Sequence, residues 1–153
     1  MHKFIALLLC LFITSPTIVL AGDDGMISKK SKYSVSATID KLEKVLKSKG
    51  ITIAVRWKHS DRANKVNIPL RSTELLIFGN PKLGSHMFTS NQTAGIDLPM
   101  KALAWKDESG VVWLTYNDPA YIARRHKISD RDHIVKKMTG ALNNFTNIAT
   151  GNM

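Results

Sequence analysis

The chain has 153 residues, a single cysteine, and a formal charge of +10 from 22 Lys and Arg against 12 Asp and Glu. That length supports one domain with a core of its own, burying roughly two-thirds of the unfolded surface. Cys10 alone cannot build a disulfide framework, and it offers no cysteine-ligated zinc or iron–sulfur cluster.

Met1-His2-Lys3 is a short basic start, and Phe4 to Leu20 is apolar apart from Thr14, Ser15, Pro16 and Thr17. The run closes on Val19-Leu20-Ala21 before Gly22-Asp23-Asp24, the pattern of a secretory signal (residues 1–21) cut after Ala21. Pro16 and the short run argue against an anchor, so no membrane span is expected after cleavage. Leu9 stands before Cys10 where a lipoprotein signal needs a small residue. The processed chain is expected to be periplasmic or secreted. Without residues 1–21 it has 132 residues, and without Lys3 its charge is +9. A basic exported protein can meet anionic lipid, acidic polysaccharide or nucleic acid. No basic patch interleaves with aromatics, and no nucleic-acid motif occurs, so nucleic acid is not an expected partner.

Residues 22–32 are polar and lysine-rich and read as a disordered lead-in. Val35, Ile39, Leu42 and Leu46 then recur at helical spacing, with Ser34 or Ser36 to cap the start and Gly50 to end it. Ile51 to Trp57 alternates as a strand with Ile51, Ile53, Val55 and Trp57 on one face. A basic, polar loop spans His59 to Lys65, with one turn of helix as an alternative. Thr73 to Phe78 reads as a central strand buried on both faces, followed by a Gly79–Gly84 turn and an irregular or weakly helical segment from His86 to Leu98. Met100–Lys106 and Val111–Asn117 form a hairpin around Asp107-Glu108-Ser109-Gly110. Asp118-Pro119 caps and starts a helix that ends in Arg124, Arg125 and His126. A last helix is expected from Ser129, with Asp132 completing a capping box and Ile134, Met138, Leu142 and Phe145 as its apolar stripe. Tight turns between adjacent strands favour an α+β domain, an antiparallel sheet covered by helices.

The strings SATIDKLEKVLKSKGITI, TELLIFGNPKLG and GIDLPMKALAWKDESGVVWLTYNDPAYIARRH occur in this order over about residues 33–128. In this the chain resembles the family of small prokaryotic domains known as domain of unknown function 302. The resemblance implies an α+β fold similar to TATA-binding-protein-like domains, often dimeric, and no established activity. It implies a domain over 33–128, leaving 129–153 as a C-terminal amphipathic helix and tail.

Several side chains could carry chemistry. Gly79-Asn80-Pro81-Lys82-Leu83-Gly84-Ser85 has the wrong spacing for a phosphate loop, and Pro81 removes a backbone donor, but Asn80 and Lys82 could face a cleft. Asp97 lies between apolar neighbours, either fixing a loop or acting as an acid or base; Lys101 is a candidate partner for it. Tyr116 and Asn117 precede a helix N-terminus and could line a pocket. His59 and His86 lie on separate loops without metal-ligand spacing, and no metal or cofactor is expected.

These readings favour a non-catalytic, exported binding module. It would be a homodimer, taking a small ligand or an envelope protein in a cleft near the Gly79–Gly84 loop, with Asn80, Lys82, Asp97, Tyr116, Asn117 and His59 as the candidate site residues. The alternative is a small-molecule enzyme with Asp97 or His59 as acid/base and Lys82 as anion anchor.

Overall fold

A computed structural model describes residues 19–21 and 24–152. Residues 1–18, 22 and 23, which hold most of the expected signal and the residues just after its cut, lie outside the described residues. One antiparallel sheet of six strands organises the chain, in the order β1-β2-β6-β5-β4-β3. These are β1 (Val19–Ala21), β2 (Met26–Ser31), β3 (Thr52–Lys58), β4 (Thr73–Gly79), β5 (Met100–Lys106) and β6 (Val112–Asn117). Helices α1 (Val35–Ser48) and α5 (Asp132–Thr150) pack on each other and on one face of the sheet, and α4 (Pro119–Arg125) packs on α5. The short α2 (His59–Asn64) follows β3, and α3 (Pro81–Ser90) follows β4. The fold is α+β, as the sequence pattern indicates.

The core is the layer between sheet and helices. Ile39, Leu42 and Leu46 of α1 meet Leu76, Phe78, Leu114 and the small Ala102 and Ala104, all buried. The two alanines explain how α1 lies close across the middle of β5. Each fully buried leucine here contributes about 1.5–3 kcal/mol. Met138, Leu142 and Phe145 complete the layer from α5. The last helix is thus part of the domain and not an appendage to 33–128.

Among the described residues no helix covers the other face, and this corrects the expectation of a doubly buried β4. Its residues alternate, with Glu74, Leu76 and Phe78 buried while Thr73, Leu75 and Ile77 are only half-buried. Register places Trp57 beside Leu75, Leu75 beside Leu103, and Trp105 beside Trp113. The chain's three tryptophans therefore share the open face. Two indole N–H groups are satisfied there, Trp105 on Thr115 Oγ1 (2.9 Å) and Trp113 on Asp107 Oδ2 (2.8 Å).

Four other expectations change. The lead-in contains strand β2, because Ile27, Lys29 and Ser31 alternate toward the helices and Gly25 (φ +77°) turns the chain into it; a Cβ at Gly25 would collide with the Tyr121 ring. The register between β3 and β4 slips between Ile53 and Val55, so Ile53 joins the inner face beside Phe78 while Val55 and Trp57 face outward. The Gly79–Gly84 turn is the start of α3. The last helix starts at Asp132 and not Ser129; its N-cap is Arg131, with no side-chain cap bond. Ser34, Gly50, Asp118 and Pro119 do sit at helix ends as the sequence suggests.

Candidate functional site

Where β4 ends, Asn80 takes extended backbone angles and its side-chain oxygen accepts from Lys82 N (2.9 Å), with Pro81 opening α3. This helix is held away from the sheet. Of its residues only Met87 is buried. Under it lies a cavity of about 320 Å³, at the lower end of the range for small-ligand pockets, roughly 300–1,000 Å³. Ile51 and Thr52 form one wall, Phe78 the floor, Leu83 and Phe88 of α3 the roof, and Met138, Leu142 and Phe145 of α5 the far side. Pro99 and Met100 complete the rim. Among the described residues no ionisable side chain lines it, and its polar side chains are the neutral Thr52, Asn80 and Ser85. Such a lining suits a neutral molecule or the apolar part of an amphiphile, because a buried charge would have no counter-charge.

Of the six candidate residues, only Asn80 lines this cavity, and its side chain is already engaged as a helix cap. Lys82 is exposed on the first turn of α3, outside the lining. Tyr116 is buried under α5 near Lys29, where desolvation pushes its phenol above the ordinary value. Asn117 faces the open side of the sheet opposite Met26. His59 starts α2 beside the Thr73 end of β4, while Asp97 precedes β5 near the Phe78 end, about 20 Å away at 3.4 Å per residue. His59 and Asp97 therefore do not form one acid–base site.

Asp97 has found another partner. Its Oδ2 accepts from Nε2 of the buried His126 (2.6 Å), and Arg125 Nη1 approaches Oδ1 at 3.4 Å. His126 Nδ1 meets Thr93 Oγ1 (2.8 Å), and Asn91 Nδ2 donates to His126 O (2.8 Å). A hydroxyl, an imidazole and a carboxylate stand in the order that nucleophilic catalysis uses. Here, however, Thr93 Oγ1 is also bound to Asn91 Oδ1 (2.8 Å), the oxygen that holds Thr93 N (2.9 Å). The set clamps the 3-10 turn Gln92–Ile96 to the end of α4, and the loop-fixing role of Asp97 accounts for its bonds. Lys101 reaches Asp97 by the backbone oxygen (3.1 Å), not by the carboxylate.

The cavity residues come from four separate segments, around residues 51–54, 78–88, 98–100 and 138–145, so no single local motif marked the whole of it. Two signals were available: the Gly79–Ser85 run, six of whose residues line the cavity, and the stripe Met138, Leu142, Phe145, which needed a partner.

A single antiparallel sheet with helices on one face, and an apolar cavity under a loosely seated helix, defines a small α+β domain. The chain belongs to the family described as "Domain of unknown function DUF302", which matches residues 27–145. It is similar in fold to the crystal structure of an uncharacterized conserved protein DUF302 from Bacillus stearothermophilus, with a TM-score of 0.74 and 15% identity, over 82% of this chain and 98% of that one. In sequence it is similar to "Fluoride-specific ion channel FluC 1" of Brucella suis biovar 1, 40% identical over 137 residues, 89% of this chain and 54% of that protein. A protein of the same name from Brucella abortus biovar 1 matches at 40% over 51% of its length. The chain spans about half the length of the curated relatives it matches.

Proposed function

We propose that the protein is an exported, non-catalytic binding module that takes a small apolar ligand, or the apolar part of an amphiphile, in the cavity under α3. The observation behind this reading is the lining: Ile51, Phe78, Leu83, Phe88, Leu142 and Phe145 around a 320 Å³ space, with only neutral polar groups at its edge. Native mass spectrometry of protein recovered from its own host is expected to show a retained small molecule. Ala141→Phe, which fills the cavity from α5, is expected to lose it and to weaken uptake of an apolar fluorescent probe at least about tenfold. Equal uptake by the filled variant would rule out this cavity as the site.

A second reading draws on the relatives. A channel crosses the bilayer with spans whose backbone is satisfied internally, whereas among the described residues no helix is long and apolar enough to cross a membrane. A domain matching about half of proteins named as fluoride channels would then be an extramembrane module, and this chain would act beside such a channel. Crosslinking in intact cells is expected to join it to a fluoride channel of its host; capture of soluble proteins alone would speak against this reading.

A further inference from the structure

The connection from β3 to β4 forms a knob at one end of the sheet. Val66 (63% exposed), Ile68 (59%) and Leu70 (44%) stand in solvent there, and on the adjoining open face Trp57 (38%) and Val55 (39%) are also exposed. The knob is built, not frayed. Val66 N and Ile68 N both donate to Ala63 O at 3.1 and 3.0 Å, and Asn67 N donates to Asn64 O at 3.1 Å. Asn67 adopts φ 59°, a left-handed turn that Asn accepts more readily than most residues. Ser60 Oγ accepts from Thr73 N (3.4 Å), and Arg71 Nε donates to Lys106 O (3.1 Å), pinning both sides of the excursion. Arg62 stacks on the Trp57 ring at 3.3 Å, joining knob and sheet face into one surface. Holding three large aliphatic side chains in water by an ordered backbone is a cost that a solvent-only loop would avoid.

The charges around these side chains choose the partner. Lys58, Arg62, Lys65 and Arg71 flank the apolar tip in the chain against one carboxylate of the knob, Asp61, and one from the neighbouring hairpin, Glu108, which Arg71 Nη2 approaches at 3.6 Å. A tip of aliphatic residues with a basic collar and an aromatic residue beside it matches the layers of an anionic bilayer: acyl chains for Val66, Ile68 and Leu70, the interface for Trp57, and headgroup phosphates for the cations. We infer that the Lys58–Ser72 knob is a docking site for an anionic membrane surface, inserting Val66, Ile68 and Leu70. The inference stands apart from the cavity, which lies at the other end of β4.

Amide hydrogen exchange of the full chain tests it, with and without vesicles of phosphatidylcholine containing phosphatidylglycerol. The amides of Lys65 to Arg71 are expected to slow at least about tenfold on anionic vesicles, and less so as salt rises. Ile68→Asp and Lys65→Glu are each expected to abolish the slowing, and both positions are exposed, so neither change threatens the core. Lys137→Glu, an equal charge change on α5, is expected to leave it intact. Reading a local segment separates the knob from any contribution of residues 4–20, which every variant shares. The inference is overturned by an absence of slowing or by an equal loss in Lys137→Glu. Protection that needs no vesicle and grows with protein concentration would assign the knob to a second copy of the chain and would overturn it as well.

Discussion

Lys29→Met is expected to abolish a rise in stability that the wild-type protein shows between pH 8 and 10.5. Lys29 on β2 is 1% exposed, and its ammonium donates to Asn143 O (2.9 Å), Asn143 Oδ1 (2.7 Å) and Asn147 Oδ1 (2.6 Å) of α5. Three oxygens satisfy its three protons, but among the described residues no carboxylate pairs with it. Burial lowers its pKa from 10.5 to about 8. Below pH 8 the group is charged both folded and unfolded, so folding carries the whole desolvation cost. Above pH 10.5 it is neutral in both states and the cost is gone. Wild-type stability relative to the variant therefore climbs by about 3 kcal/mol as pH rises through this window, at 1.36 kcal/mol per unit, and falls again on the way down. The methionine variant keeps the stem and carries no charge, while the exposed Asn143 can turn its side-chain oxygen to water. Urea unfolding of both proteins across the window measures the difference. Parallel curves would show that the ammonium is not desolvated.

Arg56→Ala is expected to cost about 3–5 kcal/mol, the range for stranding a buried charge. Glu74 is 4% exposed on the inner face of β4. Its carboxylate is held by Arg56 Nε in a short ion pair, and the same guanidinium reaches Asp40 Oδ1 of α1 at 2.6 Å and Glu43 Oε2 at 3.4 Å. The hydrogen bond to Glu74 is the main reason that the Arg56 pKa rises above its ordinary value. Removing Arg56 leaves Glu74 buried without a counter-charge, whereas Glu74→Leu in the same background removes the stranded group. The double variant is therefore expected to recover most of the loss, and a double-mutant cycle by thermal unfolding gives the coupling. A cost below about 1 kcal/mol for Arg56→Ala would mean that water already reaches Glu74.

The helices were legible where caps and apolar stripes coincide, and illegible where a stripe was weak. Asp118-Pro119 and Asn80-Pro81 start helices by the same device, yet Gly79 and Gly84 around the second disguise it as a turn. Strand β2 has no clear apolar alternation because its central inward residue is a lysine, whose need for a carbonyl cage on a helix 114 residues away has no local trace. The bulge in β3 was equally hidden: Ile51, Ile53, Val55 and Trp57 alternate perfectly in sequence, and only the register with β4 turns Ile53 inward. For the site, single polar residues at strand ends drew attention, while the cavity is made of apolar residues that also read as core. Resemblance carried the fold further than periodicity did, and the family match runs beyond the quoted strings at both ends, to 27–145.

The antiparallel registers also give the domain a polarity. Ser31, Val112, Lys106, Thr73 and Lys58 share the knob's end of the sheet, and Met26, Asn117, Met100, Gly79 and Thr52 share the cavity's end. The chain leaves at the knob's end, where Thr150 O accepts from Lys32 N (3.0 Å) and Asn152 Nδ2 donates to Lys30 O (2.8 Å). It enters β2 from the opposite end, through Gly25, whose carbonyl accepts from Asp118 N (2.8 Å). With the knob seated on a bilayer, the strands stand as a post of about 20 Å. The post would lift the cavity into the aqueous phase and keep residues 150–152 at the lipid's end of the sheet. A ligand would then be exchanged with carriers arriving through water, not drawn laterally out of the membrane.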